Sequence, residues 1–172
     1  MKEYPWYAVV NGEEDLMQGD FIIECPVVIP PLQISNNVEI KIIEYDVIIM
    51  SQSCDLVQRK LDLVLVCPVW PMTEFEKRSE FFKSRKGKEA LRQGNVPGYH
   101  LLNRCEIKGF ATEYLVVDFR SVYSIPFDFL LELIQKRSKR IRLLPPYREH
   151  LSQTFARFFM RVGLPVDIPA FK

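Results

Sequence analysis

Residues 38–69 read VEIKIIEYDVIIMSQSCDLVQRKLDLVLVCPV, and their patterning decides the fold. Val38, Ile40 and Ile42 alternate with Glu39 and Lys41, a period of two that predicts a half-buried strand over Val38–Ile43. Asp46–Met50 (DVIIM) and Leu61–Val69 (LDLVLVCPV) are continuous apolar runs, which predict strands covered on both faces. The polar stretch Ser51–Lys60 that joins them is too short for a crossover helix, so these strands are expected to run antiparallel.

Working outward, Met17–Asp20 reads as a turn into a strand over Phe21–Val28, ended by Pro30-Pro31. On the other side, Thr73–Gln93 is charged and free of proline, and predicts one helix or two short ones. Thr73 with Glu76 has the form of a capping box. From Lys77 to Arg92 there are seven basic residues against two acidic ones, Glu80 and Glu89. Further strands are expected from Tyr99 and over Tyr114–Asp118, with Ser121–Ser124 either continuing the latter or beginning the next segment. Phe127, Leu130, Leu131 and Ile134 have helical spacing over Phe127–Lys136. A basic cluster, Lys136, Arg137, Lys139, Arg140 and Arg142, leads into a short strand over Ile141–Leu144. A last helix over Tyr147–Val162 carries the stripe Leu151, Phe155, Phe158, Phe159 and Val162, and Gly163 ends it. Together these elements predict a mainly β fold with α-helices: a small, strongly bent antiparallel barrel with helices packed on it. The expected organisation is one domain over 1–172. The barrel covers about 17–70 and 99–125, a helical insertion about 73–93, and the C-terminal helices about 127–163.

The composition, 48% hydrophobic and 26% charged in 172 residues, is that of a globular chain and argues against disorder. A net charge of +1 excludes a uniformly basic nucleic-acid binder and leaves room for a local basic patch. No apolar run approaches the roughly 18 residues of a membrane span. The start, MKEYPWYAVVNGEED, lacks an apolar signal core, so the expected compartment is the cytoplasm. Cys25, Cys54, Cys67 and Cys105 have no C-x-x-C spacing and are expected to be free thiols, Cys54 alone in a polar setting.

The order QGDFIIECP, YDVIIMSQSCD, LVLVCPV and YLVVDFRSVYSIP, followed by a helix that ends in glycine, resembles the MazF/PemK/Kid toxin barrel. The resemblance spans about Gly19–Gly163, apart from an enlarged insertion near Trp70–Gly98. It implies a small SH3-like barrel covered by a terminal helix, and a cytoplasmic dimer. It also implies RNA as the substrate, an antitoxin as partner, and cleavage that needs neither metal nor cofactor. The match departs at the chemistry. The family's Arg before the aliphatic run falls on Tyr45, the Pro after it on Asp46, and the Thr after the later strand on or near Trp70. Asp118 and Arg120 match the later Asp/Arg element, and Ser51 the loop serine.

Two classes of function follow. One is a divergent endoribonuclease with a relocated site built from Ser51, Ser53, Cys54, Asp55, Asp118 and Arg120. The other is a non-catalytic barrel that binds protein or nucleic acid. Ser51–Asp55 reads either as a functional loop after a buried strand or as a side-chain-capped turn. Asp118 and Arg120, two apart on a strand, share a face and form either an active-site pair or a structural ion pair. His100 and His150, the only histidines, make a proton relay with Ser53 or Cys54 if the fold gathers them. A metal site from Cys54, Asp55 and a histidine is a third reading. Candidate RNA contacts are Gln52, Lys83, Arg85, Lys86, Tyr99, His100, Arg148 and His150, with Phe81, Phe82, Tyr99 and Trp70 available to stack bases.

Overall fold

The computed structural model describes residues 4–31, 33, 40–107 and 112–160. Its strands are β1 (Tyr7–Asn11), β2 (Phe21–Ile29), β3 (Lys41–Ile49), β4 (Leu63–Pro71), β5 (Tyr99–Leu102), β6 (Leu115–Asp118), β7 (Tyr123–Pro126) and β8 (Lys139–Leu143). Every pairing is antiparallel. One sheet has the order β2-β3-β4-β6-β5, with β7 also on β4, and β1 and β8 form a separate ribbon. The architecture is therefore mainly antiparallel β with helices. Among the described residues the ladder does not close into a barrel, because β2 and β5 stay unpaired to each other at opposite ends.

β4 organises the sheet because it is long enough to serve two neighbours in turn. Its first half, Leu63–Val66, pairs with β7, and its last residues, Val69–Pro71, pair with β6. β3 is apolar throughout its last residues because both faces are covered. Val47 and Ile49 enter one core under helix α5 (Phe127–Lys136) with Leu130 and Ile134. Ile48 and Met50 enter a second core with Leu143 and with Leu151 of α6 (Tyr147–Phe159). The strands expected over Val38–Ile43 and Asp46–Met50 are one strand from Lys41 in the described residues. Val38 and Glu39 lie outside them, as do Val162 and Gly163. Ile40 and Ile42, expected on a half-buried face, are 69% and 61% exposed and lie beyond the cover of the helices.

The ribbon is fastened by one buried carboxylate. Asp20, fully buried, accepts hydrogen bonds from Arg140 Nε at 2.7 Å and from Arg142 Nε and Nη2 at 2.5 and 2.9 Å. Gly19 before it has φ +85°, a left-handed conformation that favours glycine, and a Cβ there would press on Leu143 at 3.2 Å. The basic cluster 136–142 is thus partly structural: Arg140 is 4% exposed and Lys136 pairs with Glu132.

The insertion forms short pieces in place of one helix: α2 (Met72–Phe75), a 3-10 turn (Glu76–Arg78), α3 (Glu80–Lys83) and α4 (Arg85–Arg92). Ser79 and Ser84 start the last two by accepting from the N–H groups of Phe81 and Gly87. The capping box expected at Thr73 does not form, since Thr73 donates its N–H and hydroxyl to Glu113 instead. Phe75, Phe82 and Leu91 pack on Tyr99 and Val116 as a third core.

Candidate functional site

Polar residues that end buried strands must be satisfied locally, and the Ser51–Asp55 stretch does this first. Ser51 Oγ, 7% exposed, accepts from Leu65 N–H at 2.9 Å, and Ser53 Oγ accepts from Gln18 N–H at 3.1 Å. Ser53–Val57 is a short helix, α1. Gln52 Nε2 donates to Ser152 Oγ on α6 at 3.4 Å. Cys54 is exposed, its Sγ 3.7 Å from Asp55 Oδ1. The two serines hold backbone in place, and no hydrogen bond or ion pair joins this loop to Asp118, Arg120, His100 or His150 among the described residues.

Asp118 and Arg120 do form a pair, with a third partner from the insertion. Asp118 is 2% exposed, and its Oδ1 accepts from Arg120 N–H at 3.0 Å and Arg120 Nε at 3.3 Å. Its Oδ2 lies 3.5 Å from Arg78 Nη1. Each guanidinium is also laid over a ring. Arg78 sits 3.6 Å from the Trp70 ring and Arg120 4.3 Å from the Tyr99 ring. Tyr45 meets Trp70 edge-on with ring centres 5.8 Å apart, and stacks on Tyr123 at 5.7 Å. The indole N–H of Trp70 is buried with no hydrogen-bond partner. Both guanidiniums keep an open side, Arg78 being 37% and Arg120 55% exposed.

This clamp gathers four of the positions that the resemblance marks, Tyr45, Trp70, Asp118 and Arg120, while Ser51 and Asp46 bond elsewhere, to Leu65 N–H and Glu24 N–H. Tyr45 and Trp70, which the resemblance would set at or near the toxin family's Arg and Thr, touch each other at this clamp. The second cation of the clamp, Arg78, was not singled out in the sequence. Its only signal was membership in the basic run 77–92. The fold brings it home because Phe75 and Phe82 anchor the insertion on Tyr99. Burial raises the phenol pKa of Tyr99, with Asp118 adding to the effect, so its ring stays neutral under Arg120. Burial likewise pushes the Cys67 thiol up to about 12.

The other candidates are dispersed. Lys83 pairs with Glu80 and Arg148 with Glu149. Lys86 is exposed. Arg85 lines a groove of about 770 Å³ with Lys88, Arg92 and Arg104, but Glu76, Glu89 and Glu113 line it too. His100 and His150 do meet, ring centres 5.0 Å apart and 75° between planes, and no hydrogen bond joins either to Ser53 or Cys54 among the described residues. Among the described residues no group of three His, Cys, Asp or Glu side chains is placed to hold a metal ion. No helix among them is long and apolar enough to cross a membrane.

No family model matches this chain, and no curated protein matches it.

Proposed function

We propose that this protein binds single-stranded RNA at the Arg78–Asp118–Arg120 clamp, on an opened version of the SH3-like MazF/PemK barrel, in the manner of a toxin-related module. The observation that carries the reading is two arginines fixed by one buried carboxylate, each backed by an aromatic ring. A guanidinium held in plane with an open face suits a phosphate oxygen or a stacked base. Tyr45, Trp70 and Tyr123 extend the stacking surface. The unpaired indole N–H of Trp70 is a donor that a base or phosphate acceptor would satisfy.

Cleavage at this clamp is not favoured. Taking a proton from a 2′-hydroxyl needs a base with a free lone pair in reach. Asp118 is buried, accepts from Arg120 and is ion-paired with Arg78, so its role is to orient them. The binding module is therefore preferred over a ribonuclease centred on Asp118.

Fluorescence anisotropy with a labelled mixed-sequence RNA tests this. Binding should weaken with salt. The Arg78→Gln/Arg120→Gln double variant, which keeps donors for Asp118, should lose about 1.4 from the log–log salt slope, for two single-strand phosphate contacts. An unchanged slope and affinity in that variant, or no binding at low salt, sinks the proposal. Incubating the same RNA with the protein in EDTA should leave it intact.

A protein partner is the second reading. Val28, Ile40 and Ile42, between 59% and 69% exposed, form an apolar end to the β2–β3 hairpin that a second copy or an antitoxin segment would cover. Light scattering that shows a monomer at all concentrations removes the homodimer.

A further inference from the structure

Tyr99 and His100 are neighbours on β5, so their side chains leave opposite faces of the sheet. Tyr99 supports the RNA clamp, and His100 opens into a different cavity. That cavity, about 370 Å³, lies between the α4–β5 turn and α6. Its polar walls include Arg92, Gln93, His100, His150, Thr154 and Arg157, and among the described residues no carboxylate lines it. Its apolar walls include Leu91, Pro97, Leu101 and Phe158. We propose that this cavity binds a phosphate monoester of mononucleotide size, its phosphate held by Arg92, Arg157 and the His100–His150 pair and its nucleoside against the apolar wall.

Five observations carry the proposal. Arg92 is oriented from behind, its Nε and Nη2 donating to Glu89 at 2.8 and 2.6 Å, which leaves Nη1 for a ligand. Arg157 is exposed and makes no ion pair among the described residues. Neither imidazole has a side-chain hydrogen-bond partner among them. His100 is held in place by its stack on Phe119, with ring centres 6.1 Å apart and planes 18° from parallel. The volume fits a mononucleotide, within the range of about 300–1,000 Å³ typical of small-molecule sites. The arginines disfavour a cation, and a phosphate would meet Arg157 and the free Nη1 of Arg92, with neutral imidazoles donating N–H groups.

Binding should therefore couple to protons. Burial, then the charge of His150, lowers the His100 pKa to about 4, so the empty site keeps that ring neutral. Among the described residues the titratable and charged groups facing it are His150 and Arg157 from α6 and Arg92 from α4, with Glu89 behind Arg92; the intervening turn adds none. An anion reverses the sign of that environment, and the His100 titration should move up.

The test is histidine NMR on the full chain, with sulfate, inorganic phosphate, adenosine, adenosine 5′-monophosphate and an RNA without terminal phosphates as probes. Sulfate keeps its charge over the titration and isolates the protein's own protons. Sulfate, phosphate and the mononucleotide should shift both histidine resonances and raise the His100 midpoint by about one unit; adenosine alone should not. Exposed Arg157→Gln should weaken mononucleotide binding about tenfold, the loss of a charge-assisted contact. Unmoved histidines at millimolar mononucleotide, or wild-type affinity in both Arg157→Gln and Arg92→Gln, overturn the proposal. So does an RNA without terminal phosphates that fills the cavity more tightly than the mononucleotide. In the Arg78→Gln/Arg120→Gln variant the mononucleotide should still bind, so failure of the RNA clamp and failure of this site are read separately.

Discussion

Asp20, Asp118 and His100 are all buried polar residues, and each is tolerated for a different reason. Asp20 is fully buried between two nearly buried arginines, so removing it strands their charge. Asp20→Ala should cost about 3–5 kcal/mol in urea unfolding. Asp118 faces arginines that are more than a third exposed, so water screens what is lost. Asp118→Asn should cost less than the Asp20 change in the same assay, while weakening RNA binding by releasing Arg78 and Arg120. His100 carries no proton at neutral pH because burial disfavours its charged form. Its folded pKa lies below the unfolded value, so the unfolded chain binds the extra proton between roughly pH 6.5 and 4. Stability contributed by this group is present above that window and is lost as pH falls through it, on the order of 3 kcal/mol in full. His100→Gln should unfold with a flatter pH dependence than the parent across that window. Parallel slopes for the two proteins would contradict the buried neutral state.

Among the elements, the insertion is the one whose sequence and structure diverge most. Its polar, proline-free run suggests one or two helices, yet Ser79 and Ser84 each stop one helix and start the next. Gly87 allows α4 to cross α3 closely, because a Cβ there would lie 1.9 Å from the Phe81 carbonyl oxygen. Gly87→Ala should therefore displace α4, with a loss of about 1–3 kcal/mol. Hydrogen exchange should show faster exchange in α3 and α4 and little change in α5. Equal protection in the two proteins would mean that the crossing is not tight. The strands were more legible. Continuous apolar residues in β3 and β4 mark two covered faces, and that is what the two cores provide. The short β1 strand was not foreseen, since its partner β8 is about 130 residues away and nothing local announces the pairing.

At the scale of the whole molecule, the cysteines report on cooperativity. Cys25, Cys67 and Cys105 are buried and Cys54 is exposed. Burial raises the thiols of Cys25 and Cys67 to about 11 and about 12. A thiol reagent on the native protein should modify Cys54 alone, with the other three reacting only as fast as the chain unfolds. Fast reaction of Cys67 would show that β4 opens without global unfolding. The two proposed ligand sites also belong to this scale, because β5 separates them by projecting Tyr99 to one face and His100 to the other.

What this sequence determined by itself was local: hydrophobic period, proline and glycine stops, and short connections suffice for mainly antiparallel β with helices. Free cysteines and an aromatic-rich, locally basic insertion were also readable. The candidate residues were legible as residue types and not as groups. Asp118 and Arg120 were paired from their spacing of two, but Trp70 joined them only when β4 paired with β6, and Arg78 only when the insertion docked on Tyr99. His100 met His150 only when α6 folded across β5. Arg140 and Arg142 left the basic surface only when Asp20 was buried between them. Which charges face solvent, a carboxylate or one another depends on contacts between residues far apart in sequence. Those contacts are set by packing of the cores, and no local pattern encodes them.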